Sequence, residues 1–428
     1  MTLRKLTLAV TLITLLAGCD NQPEEPANVS APAMPQARYQ TSAEQSSAFV
    51  SHLGLSAYTA MSMAAQDAQE LDSRLQSFLY HPNPMSLKEV RDAWREAYSA
   101  FLQTLIYSRL PISDPPDWYK KGIDYRHTLI LLDSWPIEGG YIDHVPGYPF
   151  SGIVNDLTLE LNEDSLLAQH GFSDPSYASV GYHAFEFMLW GEDGQRSARD
   201  FFPQENTAPV VMPGEGTAAN GSADSLTAGV SQEAAHGDEE PAGAEAGDID
   251  IQNHNRRRQY VQLLSDLLQK HLHRLQRRWE PSNGYYATLL QRSAPDQVLA
   301  ATLNATRRLL SDELLAKRLN GDSSGFSHTS QADIAAILHG IRNLYLPDSE
   351  TEGTAGLQEL LPASLQDGLI SDWSRHFALI DNTLAQWQQE GDASEATRQQ
   401  CRERIIELMS VLKRTADALN LPLSEDDD

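Results

Sequence analysis

The sequence predicts an all-α protein built as two helical bundles side by side, and three observations carry that expectation. Several long segments repeat apolar residues at steps of three and four, the period of a helix with one buried face. Alternating runs of β-branched residues, the mark of half-buried strands, are few. An acidic stretch rich in Ala and Gly separates two helical regions of similar size, residues 44–204 and 251–424.

Composition sets the outer limits. The chain has 428 residues, 41% of them hydrophobic and 8% aromatic, enough to bury a core and long enough for two or three domains. Its 59 Asp and Glu against 32 Lys and Arg leave a net charge of −27. Such a chain lacks the basic face that neutralises phosphates, so nucleic acid is not an expected partner. Its two cysteines exclude a disulfide scaffold and any four-cysteine metal site.

Taken in order, the elements begin with a basic pair, Arg4 and Lys5, and an apolar stretch from Leu6 to Ala17 that is too short to span a bilayer. It ends in Leu15-Leu16-Ala17-Gly18-Cys19, which resembles a bacterial lipobox. That implies removal of residues 1–18 as a signal peptide and lipidation of Cys19; the alternative is an ordinary signal peptide with a chance cysteine. Asp20 resembles the inner-membrane retention signal of enteric lipoproteins. The expected location is therefore the cell envelope, anchored by lipid and facing the periplasm, with the inner membrane favoured. Residues 19–43, rich in Pro, Ala and Gln, suit a flexible tether.

From Ser86 to Tyr107, Val90, Ala93, Trp94, Ala97, Tyr98, Phe101, Leu102 and Leu105 form one apolar stripe, with Ser86 and Glu89 spaced as a capping box ahead of it. Residues 256–280 and 396–420 repeat the long-helix pattern. Between the halves, Glu205 to Asp250 holds ten acidic residues and no Lys or Arg. Such a segment cannot bury enough surface to offset its ordering entropy and reads as a disordered insertion, or else as an acidic arm that concentrates metal. Residues 425–428 are an acidic tail.

The stretch Gly181-Tyr182-His183-Ala184-Phe185-Glu186-Phe187-Met188-Leu189-Trp190-Gly191 is apolar almost all round, which marks a buried helix. His183 and Glu186, three apart, share one face of it. A carboxylate in such surroundings is costly unless it is paired, hydrogen-bonded or bound to a cation. An imidazole and a carboxylate at this spacing suit a divalent first-row metal. A buried His183–Glu186 hydrogen bond, or a link to an arginine with no ligand at all, fits the spacing equally.

The same run resembles the GxHxxE signature of the imelysin family. Ser134-Trp135-Pro136 through Gly139-Gly140-Tyr141-Ile142-Asp143 is similar to the family's WP…GYID segment, and Gly152-Ile153-Val154-Asn155-Asp156 to its GIIND turn. Trp94 and Tyr98 resemble an early W…Y helix, and Asn255-Arg256-Arg257-Arg258-Gln259-Tyr260 the restart after a variable loop. Phe326-Ser327-His328, Asp333 and Gly340-Ile341-Arg342-Asn343-Leu344-Tyr345-Leu346 are similar to FSD…D…GIxNxYLG. The resemblance spans roughly residues 44–424 in order. It implies two related four-helix bundles with the GxHxxE site in the cleft between them. It also implies metal chemistry, since the family takes its name from an insulin-cleaving membrane peptidase and includes periplasmic components of ferrous-iron uptake. Two departures stand out: His328 replaces the usual Asp, and Gly321-Asp322-Ser323-Ser324 replaces a Glu-rich lead-in. His328 is thus either a further ligand or an exposed loop histidine.

A peptidase needs more than the pair supplies. There is no HExxH and no GxSxG, and Cys401 lies in a polar helix rather than a reactive setting. Glu89, Asp92, Glu138, Asp143 and Asp156 are further acidic candidates, and Tyr141, Tyr182 and Trp190 either line the cleft or pack. Arg256–Arg258 and Arg277–Arg278 read as solvated helix faces, or as an anion or partner contact. The expected function is a lipid-anchored envelope protein of iron acquisition. It would bind a divalent metal or a metal chelate through His183 and Glu186 and work with an envelope permease or redox partner. The alternatives are an imelysin-type metallopeptidase, with Glu186 as ligand or base, and a non-catalytic envelope scaffold.

Overall fold

The computed structural model describes residues 42–108, 110, 125–204, 253–348, 354–391, 393–421 and 423. The signal peptide, Cys19, Asp20, nearly all of the tether, the insertion at 205–250 and the tail at 425–428 lie outside the described residues. Helices account for the architecture: α1 (Ala43–Tyr80), α2 (Pro84–Gln103), α3 (Leu105–Ser108), α4 (Tyr125–Leu132), α5 (Gly139–Ile142), α6 (Glu163–Gln169) and α7 (Tyr182–Trp190) precede residue 204. After residue 253 come α8 (His254–Trp279), α9 (Tyr285–Arg292), α10 (Pro295–Arg308), α11 (Ser330–Tyr345), α12 (Leu357–Leu360), α13 (Ala363–Glu390) and α14 (Glu395–Ala418). A 3₁₀ turn at Ala198–Phe201 and a π-helical segment at Leu309–Arg318 complete the set. Among the described residues there is no strand, only an isolated bridge between Val145 and Tyr148, so the all-α expectation holds. No helix among them is long and apolar enough to cross a membrane.

The 38-residue α1 is the spine. It buries Phe49, Leu53, Ala57, Met61, Ala64, Ala68, Leu71, Leu75 and Phe78 at helical spacing, and its start is closed by a capping box between Ser42 and Gln45. Three residues later the chain folds back as α2, whose predicted stripe is buried throughout. The cap differs from the expectation. Asn83 is the N-cap, accepting from the Met85 and Ser86 amides, and Ser86 is the reciprocal partner at the third helical position. Pro84, which has no amide hydrogen to leave unpaired, therefore sits in the first turn. Glu89 takes no part and lies at the surface, 3.9 Å from Arg74.

Packing does not follow the sequence division at the insertion. Although α8 follows it, this helix lies against α1, α4 and α7, while α2 packs on α11 and α1 on α10. A single apolar cluster runs from Phe49 to Leu421.

The basic run that opens α8 is a clasp, where sequence alone reads a solvated face. Arg257 is buried and holds Asp143 through Nε at 2.6 Å and Nη2 at 3.1 Å. Arg196 joins the same carboxylate at 2.9 Å. Arg256 donates to the carbonyls of Ile153, Val154, Asp156 and Leu159, and Arg258 to those of Leu79 and Phe201. The wandering segment from α5 to α6 is thereby fastened to a long helix. Burial alone would raise the Asp143 pKa, but the two guanidiniums outweigh it and hold the carboxyl well below the usual range. Replacing Asp143 with Ala leaves two buried arginines with only the partly exposed Asp200 carboxylate beside them, and urea unfolding should show a loss of about 3–5 kcal/mol.

Candidate functional site

The GxHxxE helix is short and wholly buried, so its ends need partners from elsewhere. Gly181 has φ of +102°, and a Cβ there would stand 2.6 Å from the Leu131 carbonyl oxygen. Only glycine lets the chain turn into α7 beside α4 at this point. At the other end Gly191, at φ of +72°, bonds back to Phe187, the Arg196 amide closes on Trp190, and the Arg91 guanidinium takes the Leu189 carbonyl at 2.8 Å. The Trp94 indole donates to the Tyr182 carbonyl at 3.0 Å.

So held, α7 aims His183 and Glu186 into a buried polar cluster. The two side chains meet directly, Nδ1 of His183 lying 3.0 Å from Oε2 of Glu186. On the opposite edge of the ring, Nε2 lies 3.1 Å from Oδ1 of Asp133 and 2.9 Å from the Tyr98 hydroxyl. Glu186 Oε1 accepts from both the amide and the hydroxyl of Ser327, at 2.8 and 2.7 Å. Arg318, fully buried, donates Nη2 to Asp133 and Nε to Glu313, both at 2.8 Å, and Nη1 to Tyr98 at 2.9 Å. Asp333 stands 3.6 Å from Nη1 and accepts from the Ser323 and Ser324 hydroxyls.

Charge follows from these contacts. Burial alone would lower the His183 pKa, but the hydrogen bonds and charges of Asp133 and Glu186 outweigh it and raise it to about 9. The ring is therefore an imidazolium at neutral pH, donating at both nitrogens. Burial would raise Asp133, yet Arg318 and His183 keep it ionised far below the usual carboxylate range. Asp333 goes the other way, lifted to about 7 by desolvation that Arg318 and the two serines only partly offset.

Of the residues singled out in the sequence, His183, Glu186, Tyr98, Ser327 and Asp333 come together here. Asp143 belongs to the arginine clasp, about ten residues after Asp133. Asp92 pairs with Lys88 and Arg95 at the surface, Asp156 caps the turn at Thr158, and Glu138 is exposed. His328 is exposed, at φ of 55°, which makes it a loop histidine beside Ser327. Tyr141 stacks on Tyr177, and Tyr182 and Trp190 pack around Trp94. Cys401 is buried, and burial pushes its thiol up to about 12, away from reactivity. Sequence reasoning missed Asp133, Glu313 and Arg318. The available signal was a charge beside an apolar run: Asp133 after Leu129-Ile130-Leu131-Leu132, and the pair Lys317-Arg318 between Leu314-Leu315-Ala316 and Leu319.

By type, the imidazole and carboxylates suit a divalent metal. By arrangement they do not fit one as they stand. Both ring nitrogens are taken, the positive charge comes from Arg318 and the imidazolium, and among the described residues no group of three or more His, Cys, Asp or Glu side chains is placed to hold a metal ion.

The family model named Imelysin matches residues 55–419, and the chain belongs to that family. No curated protein matches it. Among solved structures it is similar to an imelysin-like protein from Psychrobacter arcticum, with 15% identity and a TM-score of 0.57, covering 90% of this chain and 99% of that one. It is also similar to a protein from Parabacteroides distasonis named as a candidate iron-regulated protein A precursor, with 12% identity and a TM-score of 0.54, covering 90% and 98%. At these identities the likeness is one of fold.

The site gives a pH dependence. His183 has a folded pKa above its unfolded value of 6.5, so the stability it contributes is complete below pH 6.5 and is lost as pH rises through 9. Melting temperature measured from pH 7.5 to 9.5, above the range where Asp333 titrates, should fall in the wild type and fall less in His183→Gln.

Proposed function

We propose that this imelysin-family chain is a lipid-anchored protein of the bacterial envelope that takes up a divalent metal, iron first and zinc second, or a chelate of one, in iron acquisition. His183 is the nitrogen donor of this reading, with Glu186 as the carboxylate beside it and Asp133 holding the far N–H, and the charge-compensated cluster is the metal-free form. One observation carries it: a buried imidazole faces a carboxylate from each ring nitrogen. With one carboxylate holding the far N–H, the other nitrogen has a fixed direction, the usual means by which proteins orient a metal-binding histidine. Metal then competes with the imidazolium proton, so uptake strengthens as pH rises. The iron-regulated name of one structural relative is consistent with this role. On Cys19 the reading assigns a lipid anchor, and an envelope permease or redox protein is the partner that would receive the metal.

A second reading is favoured by the closure of the network. Every nitrogen and oxygen of the His183–Glu186 pair has a protein partner, as expected of a purely structural ion cluster in an envelope scaffold. A metallopeptidase is supported less, because Glu186 is fully buried and both of its oxygens already face protein partners, where an activated water would need access to one of them.

Element analysis and anaerobic Fe(II) and Zn(II) titration of the detergent-solubilised chain decide between them. The expected result is one equivalent bound near pH 8 and none in a folded Glu186→Gln. A wild type that is folded and takes up neither ion leaves the structural reading. Cleavage of a denatured peptide that stops in Glu186→Gln would restore the peptidase. For the anchor, cells fed labelled palmitate should label the wild-type protein and not Cys19→Ser.

A further inference from the structure

We propose that the second half of α8 binds a small oxyanion of the sulfate or phosphate class, held by His271 and Arg274 where α8 meets α4 and the start of α6. This place is separate from the GxHxxE cluster, and the proposal stands whether or not that cluster takes a metal.

Two buried polar atoms mark it. His271 is 1% exposed, and its Nε2 meets no hydrogen-bond partner among the described residues. Nη1 of Arg274 is covered and likewise unpaired. The two residues are three apart and so share one face of α8. A buried donor without an acceptor is costly, and a bound water or ion is what relieves it. The other histidine of the region is already satisfied: His170, at the end of α6, has the Ser134 hydroxyl at 3.2 Å and the Val180 amide at 3.4 Å on its two ring nitrogens.

The local charge is positive on a chain whose net charge is −27. Lys270, Arg274, Arg277 and Arg278 all lie on this stretch of α8, and Lys270 takes Glu163, the carboxylate that α6 brings. Arg277 and Arg278 complement the carbonyl end of the helix. From the other side α1 meets the stretch through neutral groups, Gln69 on His273 and Ser62 on Gln276. Helix α4 packs on α8 and brings His127, at the surface, to the rim. Burial lowers the His271 pKa to about 4, and the charges of Arg274 and Lys270 push the same way against the weaker pull of Glu163. Arg274 is left as a cation with neither a bonded carboxylate nor a full set of acceptors.

The ligand class follows from the donors. A guanidinium offers parallel N–H groups that match the oxygens of phosphate or sulfate, and an imidazole adds another donor once protonated. Because the unpaired atoms are covered, the occupant has to be small, and the face of a bilayer or of an acidic protein does not reach them. A dianion beside His271 favours the imidazolium, so binding takes up a proton and strengthens as pH falls.

The test is titration calorimetry of the full chain with sodium sulfate and with inorganic phosphate, against sodium chloride at equal ionic strength. Sulfate keeps its charge over the range used, so any pH effect on its binding belongs to the protein. The expected result is one equivalent of sulfate, bound more tightly at about pH 6 than at about pH 8, and no saturable binding of chloride. Arg274→Gln, with its fold confirmed by circular dichroism, should lose about tenfold or more in affinity, the scale of one charge-assisted hydrogen bond. His271→Gln should lose the pH dependence together with part of the affinity. Arg277→Gln removes an equal charge from an exposed neighbour and should cost about twofold or less, because solvent screens it. A folded wild type that binds neither sulfate nor phosphate overturns the inference. So does a folded Arg274→Gln with unchanged affinity, or an equal loss in Arg277→Gln, which would mean a diffuse basic surface. If Arg274→Gln does not fold, His271→Gln decides, and unchanged affinity and pH dependence there overturn it.

Discussion

The pairing of the fully buried Arg318 with the largely buried Asp133 constrains the centre of the molecule more than any apolar contact does. Hydrophobic packing is tolerant, since an apolar face accepts any neighbour of about the right shape. A buried guanidinium is not, because each of its donors must find an acceptor in one geometry. Here those acceptors come from α2 through Tyr98, from the end of α4 through Asp133 and from the π segment through Glu313. Through Asp133 the network reaches His183 on α7, and through Glu186 it reaches Ser327 in the loop before α11. Elements more than two hundred residues apart in sequence are thereby placed to within a hydrogen-bond length.

Asp143 repeats this logic close by. The stretch from α4 to α6 has only short helices, which are marginal on their own and bury little apolar surface. It is fixed at two carboxylates, Asp133 and Asp143, each taking an arginine from much later in the chain: Arg318 and Arg257. Between them runs Trp135 to Ile142, which packs against α7 and the loop at Gly321. Ion pairs do for this segment what a buried stripe does for α1 and α2. Such pairs add less to stability than their number suggests, since desolvation offsets much of the attraction, but they select one arrangement over near alternatives.

What could be read from the sequence was whatever announces itself locally. The stripe of α2, the long helices α8 and α14, and the buried character of α7 all follow from spacing, and the motif named His183 and Glu186 outright. Contacts whose two halves are far apart could not be read. Asp133 is a lone charge after a run of leucines and Arg318 is the second of a Lys–Arg pair, with no period to mark either as the other's partner. Arg256–Arg258 shows the same limit in reverse: three consecutive basic residues look solvated, until folding sets a carboxylate and seven carbonyls within their reach. The capping error had a subtler cause. Ser86 with Glu89 and Asn83 with Ser86 are both acceptable boxes, and the choice between them was made by Pro84, which fits best at the start of a helix.

The state of Glu186 bears on what kind of protein this fold serves. One of its oxygens accepts two hydrogen bonds from Ser327, and the other faces the imidazolium of His183. A general base needs a free lone pair directed at the proton it removes, and it works best when its pKa lies near the working pH. Making Glu186 such a base means dismantling the Ser327 loop contact or losing the imidazolium. The cluster is already balanced by two internal cations, the His183 imidazolium and Arg318, which suits a closed ion network better than a site that activates water.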